Sequence, residues 1–75
     1  MEFREWLMKE KNYSDRASRD VQSRLKRVLG YTGDETLCPD TMAKLEANIE
    51  FKNLSMSVKS QMRRAIRLHN EFANN

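Results

Sequence analysis

Seventy-five residues with one proline, two glycines and a mean hydropathy of −0.86 describe one small, charged domain, 1–75, too short for a two-domain enzyme with a deep cleft. The single cysteine, Cys38, excludes an internal disulfide and with it a stapled secreted fold. No apolar run long enough to span a bilayer is present and the opening residues do not read as a leader, so the expected compartment is cytoplasmic.

The net charge of +3 is modest, but it is unevenly spread. Residues 1–13 balance to zero. Residues 14–32 set Arg16, Arg19, Arg24, Lys26 and Arg27 against Asp15 and Asp20, a local +3. Residues 33–54 carry Asp34, Glu35, Asp40, Glu46 and Glu50 against Lys44 and Lys52, a local −3. Residues 55–75 return to +3 through Lys59, Arg63, Arg64 and Arg67 against Glu71. A field of this shape orients a molecule on a polyanion.

Helix signals run along the whole chain, and no alternating β-branched stretch is visible. Residues 2–11 read as a first helix with Phe3, Trp6 and Leu7 on one face. Asn12, Tyr13 and Ser14 interrupt it. Ser14 is a good N-cap for a second helix, because its hydroxyl accepts an otherwise orphaned amide proton, and Asp15 suits the positive end of the helix dipole. Ala17, Val21, Leu25, Val28 and Leu29 form the expected buried stripe, with Arg16, Arg19, Ser23, Lys26 and Arg27 opposite. Gly30 is the expected left-handed residue closing that helix.

Residues 31–34 read as a connection. A third helix is expected over 36–48, with Leu37, Met42, Leu45 and Ile49 toward the core and Pro39 in its first turn, where no intrahelical amide bond is lost. Phe51 and Leu54 anchor the next loop. Ser55 or Ser57 then caps a fourth helix extending to residue 72. Its apolar positions Val58, Met62, Ala65, Ile66, His69 and Phe72 recur at helical spacing. Its cations Lys59, Arg63 and Arg67 follow one another at i, i+4 and i+8, beside Arg64. At about 100° per residue this puts a core on one side and a basic ridge on another. Short joins make consecutive helices neighbours, so the expected fold is all-α, a compact four-helix bundle.

The residues point away from catalysis and metal binding. His69, the one histidine, falls on an apolar face and reads as a space-filling residue. Cys38 has no indicated base to activate it. Neither a CxxC pair nor a His-Glu-x-x-His motif occurs, and no glycine-rich phosphate loop. Asp34, Glu35 and Asp40 lack the spacing of a calcium loop. The expectation is a non-enzymatic module without a cofactor. The basic helices point to phosphate, and Ser23 and Ser60 are short hydroxyls that let a helix approach it closely. Aromatics fall mostly on apolar faces, which favours duplex over single strands. A rival reading is a docking module for an acidic protein partner, or self-association of the basic helix with residues 34–50. A third, with the last helix on anionic lipid, conflicts with the need for Val58, Ile66 and Phe72 in the core, so no membrane contact is expected.

Phe3-Arg4-Glu5-Trp6-Leu7 at the start, Tyr13-Ser14 before the second helix, Leu54-Ser55, and a last helix with Lys59, Arg63, Ala65, Ile66, Arg67 and Phe72 follow one another in a familiar order. In this order the chain resembles, over nearly its whole length, the N-terminal core-binding domain of tyrosine recombinases (phage-type integrases). The resemblance implies a SAM-like four-helix fold, a role in DNA recombination, and a clamp on one face of duplex DNA. It implies phosphate contacts by Arg16, Arg19, Ser23, Lys26 and Arg27 on the second helix and by Lys59, Ser60, Arg63, Arg64 and Arg67 on the fourth. The family's catalytic arginines, histidine and tyrosine nucleophile have no counterpart in these residues, and Tyr13 and Tyr31 fall in the core-binding region. A monomer in isolation is expected.

Overall fold

A computed structural model describes residues 1–74. Its elements are α1 (Phe3–Glu10), α2 (Asp15–Thr32), α3 (Thr41–Ala47), the single turn α4 (Ile49–Lys52) and α5 (Met56–Ala73), with no strand among the described residues. The all-α expectation holds, with α4 added where a loop was expected. α2 and α5, each 18 residues long, pack on each other more extensively than any other pair. α1 lies against both, and α3 packs on α2.

The caps explain where the long helices begin. Ser14 Oγ accepts from the Ala17 amide at 3.1 Å, and Ser55 Oγ accepts from the Val58 amide at 3.3 Å, so Ser55 rather than Ser57 opens α5. Asn12 takes a left-handed conformation, φ 56°, which asparagine tolerates. That turn lets the Tyr13 amide donate to the Leu7 carbonyl at 3.1 Å.

Two boundaries and one helical phase differ from expectation, each for a local reason. α2 runs through Gly30 and ends at Gly33, whose φ of 75° is the left-handed stop and whose amide donates to Leu29 O at 2.8 Å. α3 starts at Thr41, not residue 36. Cys38 precedes proline and is biased away from helix. Its amide donates to Thr41 Oγ1 at 2.9 Å, and the Asp34 carboxylate accepts from Thr41, Cys38 and Lys44, which folds residues 34–41 into a separate turn. Asn48 then interrupts the third helix in extended backbone. Its side chain accepts from the Phe51 amide at 3.0 Å and donates to the Tyr31 carbonyl at 3.0 Å. The restart changes the helical phase: Phe51 turns inward, and Ile49, expected in the core, is 73% exposed.

The core gathers Phe3, Trp6 and Leu7 of α1, Val21, Leu25 and Val28 of α2, Leu45, Phe51, and Met62, Ala65, Ile66 and Leu68 of α5. Ser18 replaces Ala17 and Leu29 as a fully buried member of α2. Its hydroxyl donates to the Asp15 carbonyl at 2.7 Å, so burial leaves it satisfied. His69 is half-buried between the Phe3 and Phe72 rings, at centroid distances of 5.1 and 5.9 Å. Trp6 Nε1 is buried without a hydrogen-bond partner among the described residues, at a cost of about 1–3 kcal/mol. The Lys11 ammonium, 5.5 Å over the ring, offsets about 0.5–1 kcal/mol of that.

The two glycines give opposite predictions. Gly30 is helical, and a Cβ there meets nothing within 4 Å. Gly30→Ala is expected to stabilise by about 0.5–1 kcal/mol. Gly33→Ala forces a side chain into the left-handed region and should destabilise by about 1–2 kcal/mol. Urea unfolding of both variants checks this; the reverse order would return the helix end to Gly30.

Candidate nucleic-acid interface

The basic residues of α2 face outward, and one edge of that surface turns toward α5. At about 100° per residue, Lys26, Arg19, Ser23, Arg16 and Arg27 follow one another across the outer surface in that order, and Asp20 and Arg24 lie beyond Arg27 on the side that borders α5. Arg19 is also engaged, 3.1 Å from Asp15, which is 3.6 Å from Arg4 as well. Ser23 is exposed on the outer surface.

The basic residues of α5 reach from the α3 side to the α2 side. Arg63 points to α3. Its Nε and Nη2 donate to the two oxygens of Glu46 at 2.5 and 2.9 Å, and its guanidinium carbon lies 5.5 Å from the centre of the buried Phe51 ring. These hydrogen bonds from Arg63 hold the Glu46 carboxyl below its ordinary value, and Lys59 contributes in the same sense. Lys59 and Arg63 therefore face the acidic third helix. Arg64, one residue on, turns the other way. Ser60 and Arg67 are exposed between these two flanks.

Arg64 meets α2 across a shallow notch of about 310 Å³. Tyr13, Asp20, Arg24, Gln61 and Arg64 form its rim, and Ala17, Val21, Ala65 and Leu68 its floor. Arg24 and Arg64 have no ion-pair partner among the described residues. Neither do Arg16 and Arg27, although Arg27 Nη2 donates to the Tyr31 hydroxyl at 3.3 Å. Glu71, the acid of α5, is engaged by Lys11 at 2.5 Å. Asp20 is left as the one carboxylate of the notch rim, without an ion-pair partner among the described residues.

Of the residues singled out by sequence, Arg64 lines the notch; Arg16 and Arg27 lie outward of it on α2, and Ser60 and Arg67 outward of it on α5. Arg19 and Lys26 lie at the edge of the α2 surface farthest from α5, and Lys59 and Arg63 turn to α3. Arg24 escapes the sequence pattern because it borders the apolar stripe next to Leu25. Its spacing, eight residues after Arg16 and three before Arg27, is the signal that assigns it to their row.

No family model, no curated protein and no solved structure matches this chain. The likeness to recombinase core-binding domains therefore rests on the order of apolar positions, caps and cations along the sequence. Two of the five acids of the acidic segment are engaged within the chain: Glu46 by Arg63, and Asp34 by Lys44 at 2.8 Å, a hydrogen bond that lowers the Asp34 pKa. Among the described residues no group of three or more His, Cys, Asp or Glu side chains is arranged to hold a metal ion, and no helix is long and apolar enough to cross a membrane.

Two acidic windows follow from these environments. Burial pushes the His69 pKa below its ordinary 6.5. The unfolded chain therefore takes that proton first, and stability falls as pH drops below 6.5, levelling once the folded imidazole is protonated. Glu46 is lowered from 4.5, so its contribution is complete above pH 4.5 and is lost as pH falls through the lower folded value. Melting temperature against pH should show both declines. His69→Gln should remove the first and leave the second; an unchanged first decline would show that His69 is not its source.

Proposed function

We propose that this chain is a non-enzymatic helical module that binds duplex DNA through phosphate contacts of the α2/α5 face. The observation supporting this most directly is the pair Arg24 and Arg64 on opposite rims of one notch, with Arg16 and Arg27 outward of it on α2, none of the four having an ion-pair partner among the described residues. Unpaired guanidiniums on rigid helices are suited to phosphate, because the fork matches its oxygens and little side-chain order remains to be imposed. Each phosphate neutralised releases counterions, so several such contacts give a binding constant that falls steeply with salt. Arg67 and Ser60 extend the surface along α5. Self-association through residues 34–50 is the weaker reading, since Glu46 and Asp34 already have cations within the chain.

The reading separates the two flanks of α2 experimentally. Arg24→Glu combined with Arg64→Glu should lower affinity for a mixed-sequence duplex by about tenfold or more at low salt. Helix content and melting temperature should hold, because neither side chain has an ionic partner among the described residues to lose. Lys26→Glu, on the far flank, should have a much smaller effect. Fluorescence anisotropy at fixed salt measures all three. Equal binding by the double variant and the parent would refute the interface.

A further inference from the structure

The basic ridge predicted from sequence exists on α5, but a carboxylate already sits on its middle member. Glu46 meets Arg63 with both oxygens, and the two residues are 17 apart in the chain. This is the geometry in which arginine grips a phosphate: two parallel N–H donors on two oxygens sharing a negative charge. The pair is not sealed. The Arg63 and Glu46 side chains retain 32% and 42% of their accessible surface, so an incoming anion can reach them. Being partly exposed, the pair is screened by salt and open to a competing anion. Phe51 lies under the guanidinium independently of Glu46, so loss of the carboxylate leaves Arg63 presented rather than free to collapse. Lys59, Arg63 and Arg67 rise by about 6 Å per step along the helix, and Arg64 joins the ridge to the α2/α5 face.

We propose that Glu46 acts as a built-in phosphate surrogate that withholds Arg63 from nucleic acid, so that α3 limits how tightly the α2/α5 face binds a duplex backbone. The proposal rests on the reading of that face as a phosphate-binding surface. It makes Glu46 an autoinhibitory contact: displacement of its carboxylate by a DNA phosphate adds one backbone contact, and its removal makes that contact available without competition.

The test is a duplex titration over a series of salt concentrations with the parent, Glu46→Gln and Glu50→Gln. Glu50 is an exposed acid of the same segment without an ion-pair partner among the described residues, so the two variants change net charge equally. Glu46→Gln should bind about threefold to tenfold more tightly at low salt, with log K against log salt steeper by about 0.9, the increment of one phosphate. Glu50→Gln should leave the slope at the parent value. Equal behaviour of the two variants, or no gain in Glu46→Gln, overturns the proposal. A glutamine amide oxygen still accepts from Arg63, and thermal melting checks that the fold holds. Should that variant unfold, Glu46→Asp decides, because it keeps the charge while drawing the carboxylate back from the fork: a steeper slope supports the proposal and the parent slope overturns it. If the parent binds and the slopes agree, only the role of Glu46 fails. If neither the parent nor the Glu46 variants bind, the α2/α5 reading fails with it.

Discussion

The seam between α2 and α5 is the constraint on which the rest of the molecule depends. A chain of 75 residues has little apolar surface to bury, and these two helices bring most of it together: Val21, Leu25 and Val28 against Met62, Ala65 and Ile66. Each is about 27 Å long at 1.5 Å per residue. Their side chains next to the seam are consequently fixed in position across the notch. Arg24 and Arg64 are neighbours because Val21 and Ala65 are packed. α1 covers the seam with Trp6 and Leu7, and Lys11, just past its end, engages Glu71 so that the acid of α5 does not oppose the arginines.

The seam also divides the charge of α5. Arg64 faces α2, where no carboxylate binds it among the described residues. Arg63 faces α3, where Glu46 does. One residue of spacing, a rotation of about 100°, separates a free guanidinium from a pinned one. The pinned guanidinium also ties elements together, since through Glu46 and Phe51 it connects α5 to α3 and α4. The acidic middle segment thus serves the fold before it serves any partner. Asp34 does the same within its own turn, organising Thr41, Cys38 and Lys44.

Much of this is legible in the sequence, and what is not has specific causes. Periodicity and caps place α1, α2 and α5: Ser14 is a clear local signal, the last helix begins at one of two serines, and the apolar stripes of α2 and α5 are long. The middle of the chain resists the same treatment. Gly30 looks like a helix stop, but the left-handed residue is three positions later, where the core no longer requires α2 to continue. Pro39 is compatible with a first turn, yet the hydrogen bonds of Thr41 and Asp34 hold the preceding residues out of the helix. Ile49 follows the phase of α3, and Asn48 resets that phase through a contact with Tyr31 that is 17 residues away. The candidate interface is half legible for a related reason. Spacing within one helix reveals Arg16, Arg27 and Arg64 as basic and exposed. It cannot reveal that Arg63 is met by a carboxylate from another helix, nor that Arg24 and Arg64 face one another.

The most direct measurement is a chemical-shift titration of the isotope-labelled protein with a short mixed-sequence duplex at two salt concentrations. The account predicts shifts concentrated at Arg16, Asp20, Arg24, Arg27, Gln61 and Arg64, weakening as salt rises, with Arg19, Lys26 and the residues around Asp34 nearly unmoved. Shifts centred instead on α3 and α4, or none at the lower salt, would contradict it.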